Sequence, residues 1–248
     1  MIASYRLYKN VGNDLKELIK TANYVVGDKL PPERDIADLY GVSRTVVREA
    51  IIMLELEDIV RVKKGSGVYI INLPDTVNGS HSSDDEDDFG PFELLQARQL
   101  IESNIASFAA SQVVKSDITE LRTLLNRERE MVAQGNLDDY SVDEQFHIAL
   151  AKATKNSVLE NMLTELWQKR NNSQMWQKLH THITDHSYRK IWLEDHEQII
   201  QALQTKDPAA AKQAVWQHLE NVKNVLMRLS NNEDPDFDGY LFESIPCE

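Results

Sequence analysis

The chain has 248 residues, room for two domains of ordinary size, and its 42% apolar and 27% charged residues mark a globular protein rather than a disordered one. A lone cysteine, Cys247, cannot staple the fold internally, no basic-then-apolar leader opens the chain, and no apolar run approaches the roughly 20 residues that span a bilayer. These features point to a cytoplasmic protein with no membrane partner. The net charge of −13 is unevenly spread: residues 1–73 hold 11 Lys and Arg against 10 Asp and Glu, residues 74–248 hold 16 against 30. A uniformly basic domain is excluded, so any nucleic-acid contact must rest on a local basic face.

In chain order, Val11–Thr21 has helical apolar spacing. Pro31 and Pro32 stop the chain and permit a second helix, Arg34–Tyr40, because proline is tolerated in a first turn. Gly41, Val42 and Ser43 form a tight turn, and Ser43 is a good N-cap for a third helix, Arg44–Leu56, which buries Val47, Ala50, Ile51 and Leu54. Two short β-branched runs, Ile59–Lys63 and Val68–Ile71, are joined by Lys64-Gly65-Ser66-Gly67, a hairpin signal. Three helices and a hairpin predict a winged helix-turn-helix over residues 1–72.

The composition breaks at Asn72–Gly90, where Pro, Gly and Ser precede five acids, Asp84 to Asp88; residues 73–90 read as an acidic flexible linker. Helices alone follow, at about 91–113, 117–134, 139–153, 157–182, 186–205 and 208–230, and their short connections predict an antiparallel all-α bundle over 91–230. An acidic tail, 231–248, closes the chain. The fold class expected is mainly α with a small β-wing.

On the third helix the apolar positions take one side and Arg44, Thr45 and Arg48 the other, near the N-terminus. Arginine can bond guanine O6 and N7 in a bidentate way, and a threonine methyl can touch thymine, so this face suits a recognition helix in a major groove. Arg34 is placed to reach phosphate, and Lys64 and Gly65 at the hairpin tip supply charge and close backbone approach. A solvated helix face would carry the same arginines.

Of seven histidines, three lie within apolar helical stretches. His147 follows Asp143 by four residues, so the two share a helix face; with His196 and His218 they make one carboxylate and three imidazoles, a ligand set for Zn²⁺, Ni²⁺ or Mn²⁺ with open positions. Hydrogen-bonded core histidines fit the same pattern. His180 and His182 are a competing pair, but on a helix they point to different faces.

The runs Gly27–Arg34, Val42–Ala50 and Gly65–Val68 resemble the signature of the GntR family of bacterial regulators, without a gap across the first domain. The resemblance implies that Arg34, Arg44, Thr45, Arg48 and Gly65 contact operator DNA, with Ser43 and Lys64 beside them. The stretches Gln96–Glu102, Asp143–His147, Asn156-Ser157, Asp195–Ile199 and Gln217–Leu219 resemble the FCD ligand domain of the FadR subfamily. That resemblance implies a divalent metal ion held by Asp143, His147, His196 and His218, with Arg98 meeting the carboxylate of an acidic ligand and Asn156 in the pocket.

Phe92–Ala106, Trp216–Lys223 and Asp238–Phe242 are similar to the hexuronate-utilisation repressors of enteric bacteria, which implies a sugar-acid effector such as galacturonate, glucuronate or the keto-acids made from them. Trp176, Trp192 and Trp216 offer stacking walls for a sugar ring, or core packing. The expectation is a homodimeric transcriptional regulator on an inverted-repeat operator, released by its effector, and not an enzyme. The alternatives are a regulator answering another carboxylic acid, a regulator with a structural metal triggered by a partner protein, and a metal-dependent enzyme acting on sugar acids. Asp with three His is also a hydrolase ligand set, but no second carboxylate is placed as a base and no nucleophile motif is present.

Overall fold

The structure, a computed structural model, describes residues 6–76, 89–183 and 185–229; most of the acidic linker and the acidic tail lie outside them. The described residues form two compact units.

The first unit opens with helices α1 (Leu7–Thr21), α2 (Glu33–Tyr40) and α3 (Arg44–Leu56). Tyr8, Val11, Leu15 and Ile19 recur along one face of α1 and are buried, as are Val47, Ala50, Ile51 and Leu54 on α3. Burying one such leucine or isoleucine contributes about 1.5–3 kcal/mol. Helix α1 lies close on α3, since a Cβ on Gly12 would meet Met53 Cε at 2.1 Å. Gly41 ends α2 at φ +64°, a left-handed conformation that costs glycine little, and Ser43 Oγ accepts from the Val46 amide at 3.4 Å to start α3.

The wing is an antiparallel hairpin, β1 (Val60–Lys63) and β2 (Gly67–Ile70), with Val60 opposite Ile70 and Lys63 opposite Gly67. Residues 27–30 run beside β2, the Leu30 amide donating to the Val68 carbonyl at 2.8 Å. This is the expected winged helix-turn-helix.

The second unit is helical: most of α4 (Pro91–Gln112) and α10 (Pro208–Leu229), with α5 (Lys115–Ala133), α6 (Ser141–Lys152), α7 (Ser157–Asn172) and α9 (Tyr188–Gln204). Ile105, Ala151, Leu163 and Trp167 make a buried cluster within it. Asp207 caps α10, its Oδ1 accepting from the Ala209 and Ala210 amides at 3.0 Å, with Pro208 in the first turn.

One departure from the sequence pattern matters. The single helix expected over 157–182 is two, because Ser173 accepts from the Trp176 amide at 3.0 Å and starts a new helix, α8 (Gln174–Thr181). Residues 173–182 pack in the first unit, as do 227–229. There Glu55 of α3 meets His182 Nε2 at 2.8 Å and Lys178 Nζ at 3.6 Å, and Glu49 accepts from the Phe92 amide at 2.8 Å.

Candidate metal centre and nucleic-acid interface

Four side chains from three helices of the second unit converge. Asp143 and His147 come from α6, one turn apart, His196 from α9 and His218 from α10; one ligand atom from each lies within 4.8 Å of all the others. All four are buried. Asp143 Oδ1 stands 3.8 Å from His147 Nε2 and 3.4 Å from His196 Nε2.

Each ring is oriented from behind by a carboxylate. Glu102 Oε2 lies 2.5 Å from His147 Nδ1, Glu128 Oε2 3.0 Å from His196 Nδ1, and Asp195 Oδ2 3.2 Å from His218 Nδ1. Asn221 in turn donates to both oxygens of Asp195, at 3.0 and 3.1 Å. Occupying Nδ1 in this way turns Nε2 of each ring toward the shared centre, the arrangement that metal-binding histidines use.

The buried charge is finely set. Burial opposes ionisation of Asp143, but His147, His196 and His218 outweigh it and hold the carboxyl well below the usual range. Burial likewise opposes ionisation of Glu102, and Arg98 and His147 bring it down to about 2. Burial disfavours a charged His196, yet Glu128 draws its pKa above the ordinary value, whereas burial brings His218 down to about 4 despite Asp195. Nε2 of His147, Nε2 of His196 and Oδ1 of Asp143 are buried with no hydrogen-bond partner. Orphaned donors and acceptors of this kind are costly, and a divalent cation among them would satisfy all three. The residues fit a metal.

Arg98 is buried beside the cluster, donating from Nε to Glu102 at 2.6 Å and standing 4.0 Å from the centroid of the Trp167 ring, which is itself 5.5 Å from that of His147. Asn156 takes a different part from the one expected. It is exposed, and its side-chain oxygen accepts from the Val158 and Leu159 amides at 3.0 and 3.4 Å, capping α7 instead of lining the cluster. Among the tryptophans, Trp192 borders His218 at 6.1 Å, Trp176 packs in the first unit against His180, and Trp216 is half-buried. His182 Nε2 meets Glu55 Oε2 at 2.8 Å, and among the described residues neither His180 nor His182 falls in a group of three or more candidate ligands.

On the first unit, Arg34, Lys64 and Gly65 are exposed, and Ser43 and Arg44 half-buried. Thr45 is buried, its hydroxyl 2.8 Å from that of Ser43. Arg48, expected to face DNA, is only 3% exposed. Its guanidinium forks onto the carboxylate of Glu33 and donates from Nη1 to the Met227 carbonyl at 2.8 Å. A buried arginine demands such partners, which is the physical reason it is turned inward here.

Comparison with known proteins is decisive for the family. Residues 7–70 match the gntR family of bacterial regulatory proteins and residues 93–221 match the FCD domain. The "Uxu operon regulator" of Haemophilus influenzae is 54% identical, covering 97% of this chain and 90% of that one. The chain belongs to the gntR family. The "Exu regulon transcriptional regulator" of Escherichia coli is 49% identical to this gntR-family protein, with coverage of 97% and 93%. A solved Listeria monocytogenes regulator, 18% identical, shares the fold with a TM-score of 0.50 over 90% of this chain and 97% of its own. This gntR-family protein is a DNA-binding transcriptional regulator with an FCD ligand domain, not an enzyme. Among its described residues no helix is long and apolar enough to cross a membrane.

Sequence reasoning missed Glu102, Glu128, Asp195, Trp167, Arg170 and Arg189. Only the four-residue spacing of Arg98 and Glu102 carried a local signal for any of them.

Proposed function

We propose that this protein represses hexuronate-utilisation genes in the cytoplasm, bound as a homodimer to an inverted-repeat operator and released by a sugar acid. The observation that carries the reading is the buried Asp143, His147, His196 and His218 cluster with Arg98 beside it, in a chain whose relatives are named for the Uxu operon and the Exu regulon. Asp143 and the three Nε2 atoms would hold Zn²⁺, Ni²⁺ or Mn²⁺, and the ion would offer open positions to a carboxylate and its adjacent hydroxyl. Arg98, fixed by Glu102 and Trp167, adds a charge-assisted hydrogen bond to that carboxylate.

On the operator, Arg44 and Arg48 read base edges, with Ser43 and Thr45 beside them, while Arg34, Lys64 and the Gly65 backbone meet phosphates. The arrangement in which Glu33 and the Met227 carbonyl hold Arg48 corresponds to the released state, since a buried guanidinium cannot reach a base. The effector shifts operator affinity only by its differential affinity for the two states, about 1–3 kcal/mol, or roughly 5–150-fold.

The test is operator binding by the metal-loaded protein, followed by fluorescence anisotropy, with galacturonate, glucuronate, fructuronate and tagaturonate. Release by one of them is expected. Operator affinity unchanged at saturating levels of all four would reject the reading. His196→Ala should lose metal and effector response while keeping operator binding.

A further inference from the structure

Three arginines are buried in the second unit, and they alternate with two aromatic rings. The guanidinium carbons of Arg98 and Arg170 stand 4.0 and 5.0 Å from the centroid of Trp167, and those of Arg170 and Arg189 stand 4.9 and 4.4 Å from that of Tyr140. The ends of this ladder are tied to different histidines of the cluster. Arg98 bonds Glu102, whose other oxygen meets His147; Arg189 donates to Glu128 at 3.2 Å, whose other oxygen meets His196. The ladder therefore runs from the His147 side of the cluster to the His196 side, with Arg170 between.

The buried donors along it are in surplus. Nε and Nη1 of Arg189 have no hydrogen-bond partner, although the residue is 0% exposed. The indole N–H groups of Trp167 and Trp192, both in ring contact with cluster histidines, have none either. Burial, reinforced by the charge of Arg98, lowers Arg170 to about 10, against the opposing pull of Asp143. Buried donors left unpaired cost stability, and a ligand rich in acceptor oxygens recovers that cost while an alkyl chain does not.

We propose that Arg170 and Arg189 form a second effector subsite, distinct from Arg98, which takes the hydroxyl and carbonyl oxygens at the far end of a six-carbon sugar acid and so selects effectors by length. This rests on the reading that a sugar acid binds at the cluster through its carboxylate. A two-carbon acid such as glycolate carries the carboxylate and adjacent hydroxyl that the centre and Arg98 require, and nothing that reaches Arg170 or Arg189. Six-carbon acids owe their tighter binding to these two arginines.

The experiment is calorimetric titration of the metal-loaded full chain with glycolate and with galacturonate or glucuronate, for the wild type, Arg170→Gln and Arg189→Lys. The lysine keeps a charge for Glu128, and retained glycolate binding certifies an intact centre in either variant. The expected result is a loss of about tenfold or more in hexuronate affinity, with glycolate affinity held within about twofold. Equal loss for both acids, loss for neither, or a wild type that binds hexuronate no better than glycolate each overturns the subsite. Operator release is measured on the same samples. Hexuronate that binds through Arg170 and Arg189 yet leaves the operator occupied retires the regulatory reading and keeps the subsite. Release that survives in both variants at unchanged hexuronate concentration does the opposite.

Discussion

Glu128 stands between two buried side chains, with one oxygen 3.0 Å from His196 Nδ1 and the other 3.2 Å from Arg189 Nη2. It never enters the proposed metal shell, yet it fixes which nitrogen of His196 faces the centre. Glu128→Gln keeps the shape and removes the charge. Metal affinity should fall about 10–100-fold, the usual effect of losing such a partner, as measured by competition with a chromophoric chelator. An unchanged affinity would make Glu128 a partner of Arg189 alone.

Arg48 is asked to serve two ends. Arg48→Ala should cost about 1–3 kcal/mol of affinity for the specific operator if the side chain reads a guanine. Equal loss on operator and random DNA would reduce it to a phosphate contact. The same substitution leaves Glu33 buried without its cation, a kind of change that destabilises by about 3–5 kcal/mol. Binding is therefore compared at temperatures where thermal melts show both proteins folded.

The contact between α3 and α8 carries a pH signature. Burial raises the Glu55 carboxyl, but the hydrogen bond and charge of His182, with the Val62 amide and Lys178, bring it below its ordinary 4.5. A depressed carboxylate contributes stability that is complete above the unfolded value and is lost as pH falls through the folded one. Wild-type melting temperature should thus drop more steeply below about pH 4.5 than that of His182→Gln. Parallel curves would show that the pair contributes nothing.

Ser173→Ala removes the cap that starts α8. A loss of about 1 kcal/mol is expected in denaturant unfolding. A stability equal to wild type would mean that packing on α3 alone sets the start of that helix.

Much of the first unit was legible because its signals are local. Gly41 and Ser43 bracket the turn before α3, and the β-branched runs around Gly65 give the hairpin within a dozen residues. The four proposed ligands were legible as well, Asp143 and His147 by their one-turn spacing, His196 and His218 by their place in apolar helical stretches, and the full set by resemblance. What surrounds them was not. Glu128 meets His196 across 68 residues, and Tyr140 meets Arg189 across 49, pairings set by the order in which helices pack and by nothing in either neighbourhood. The break at Ser173 was hidden because Val158 through Leu179 keeps adequate helical spacing on both sides, so a capping serine in mid-pattern resembled a tolerated polar residue. The inward turn of Arg48 was hidden for a related reason: its local pattern pointed outward, and its partners, Glu33 and Met227, come from elsewhere.

The distribution of the first unit along the chain has a consequence for synthesis. Its three helices and wing are complete by residue 70, but α8 and residues 227–229, which pack in the same unit, come more than a hundred residues later. At about 5–20 residues per second, α3 waits roughly 6–25 s on the ribosome between its own emergence and that of the segment that covers it. During that interval the half-made protein displays its DNA-reading head without the contacts from Met227, His182 and Lys178. A nascent regulator is thus expected to pass through a stage in which it can meet nucleic acid before it is able to hear its effector.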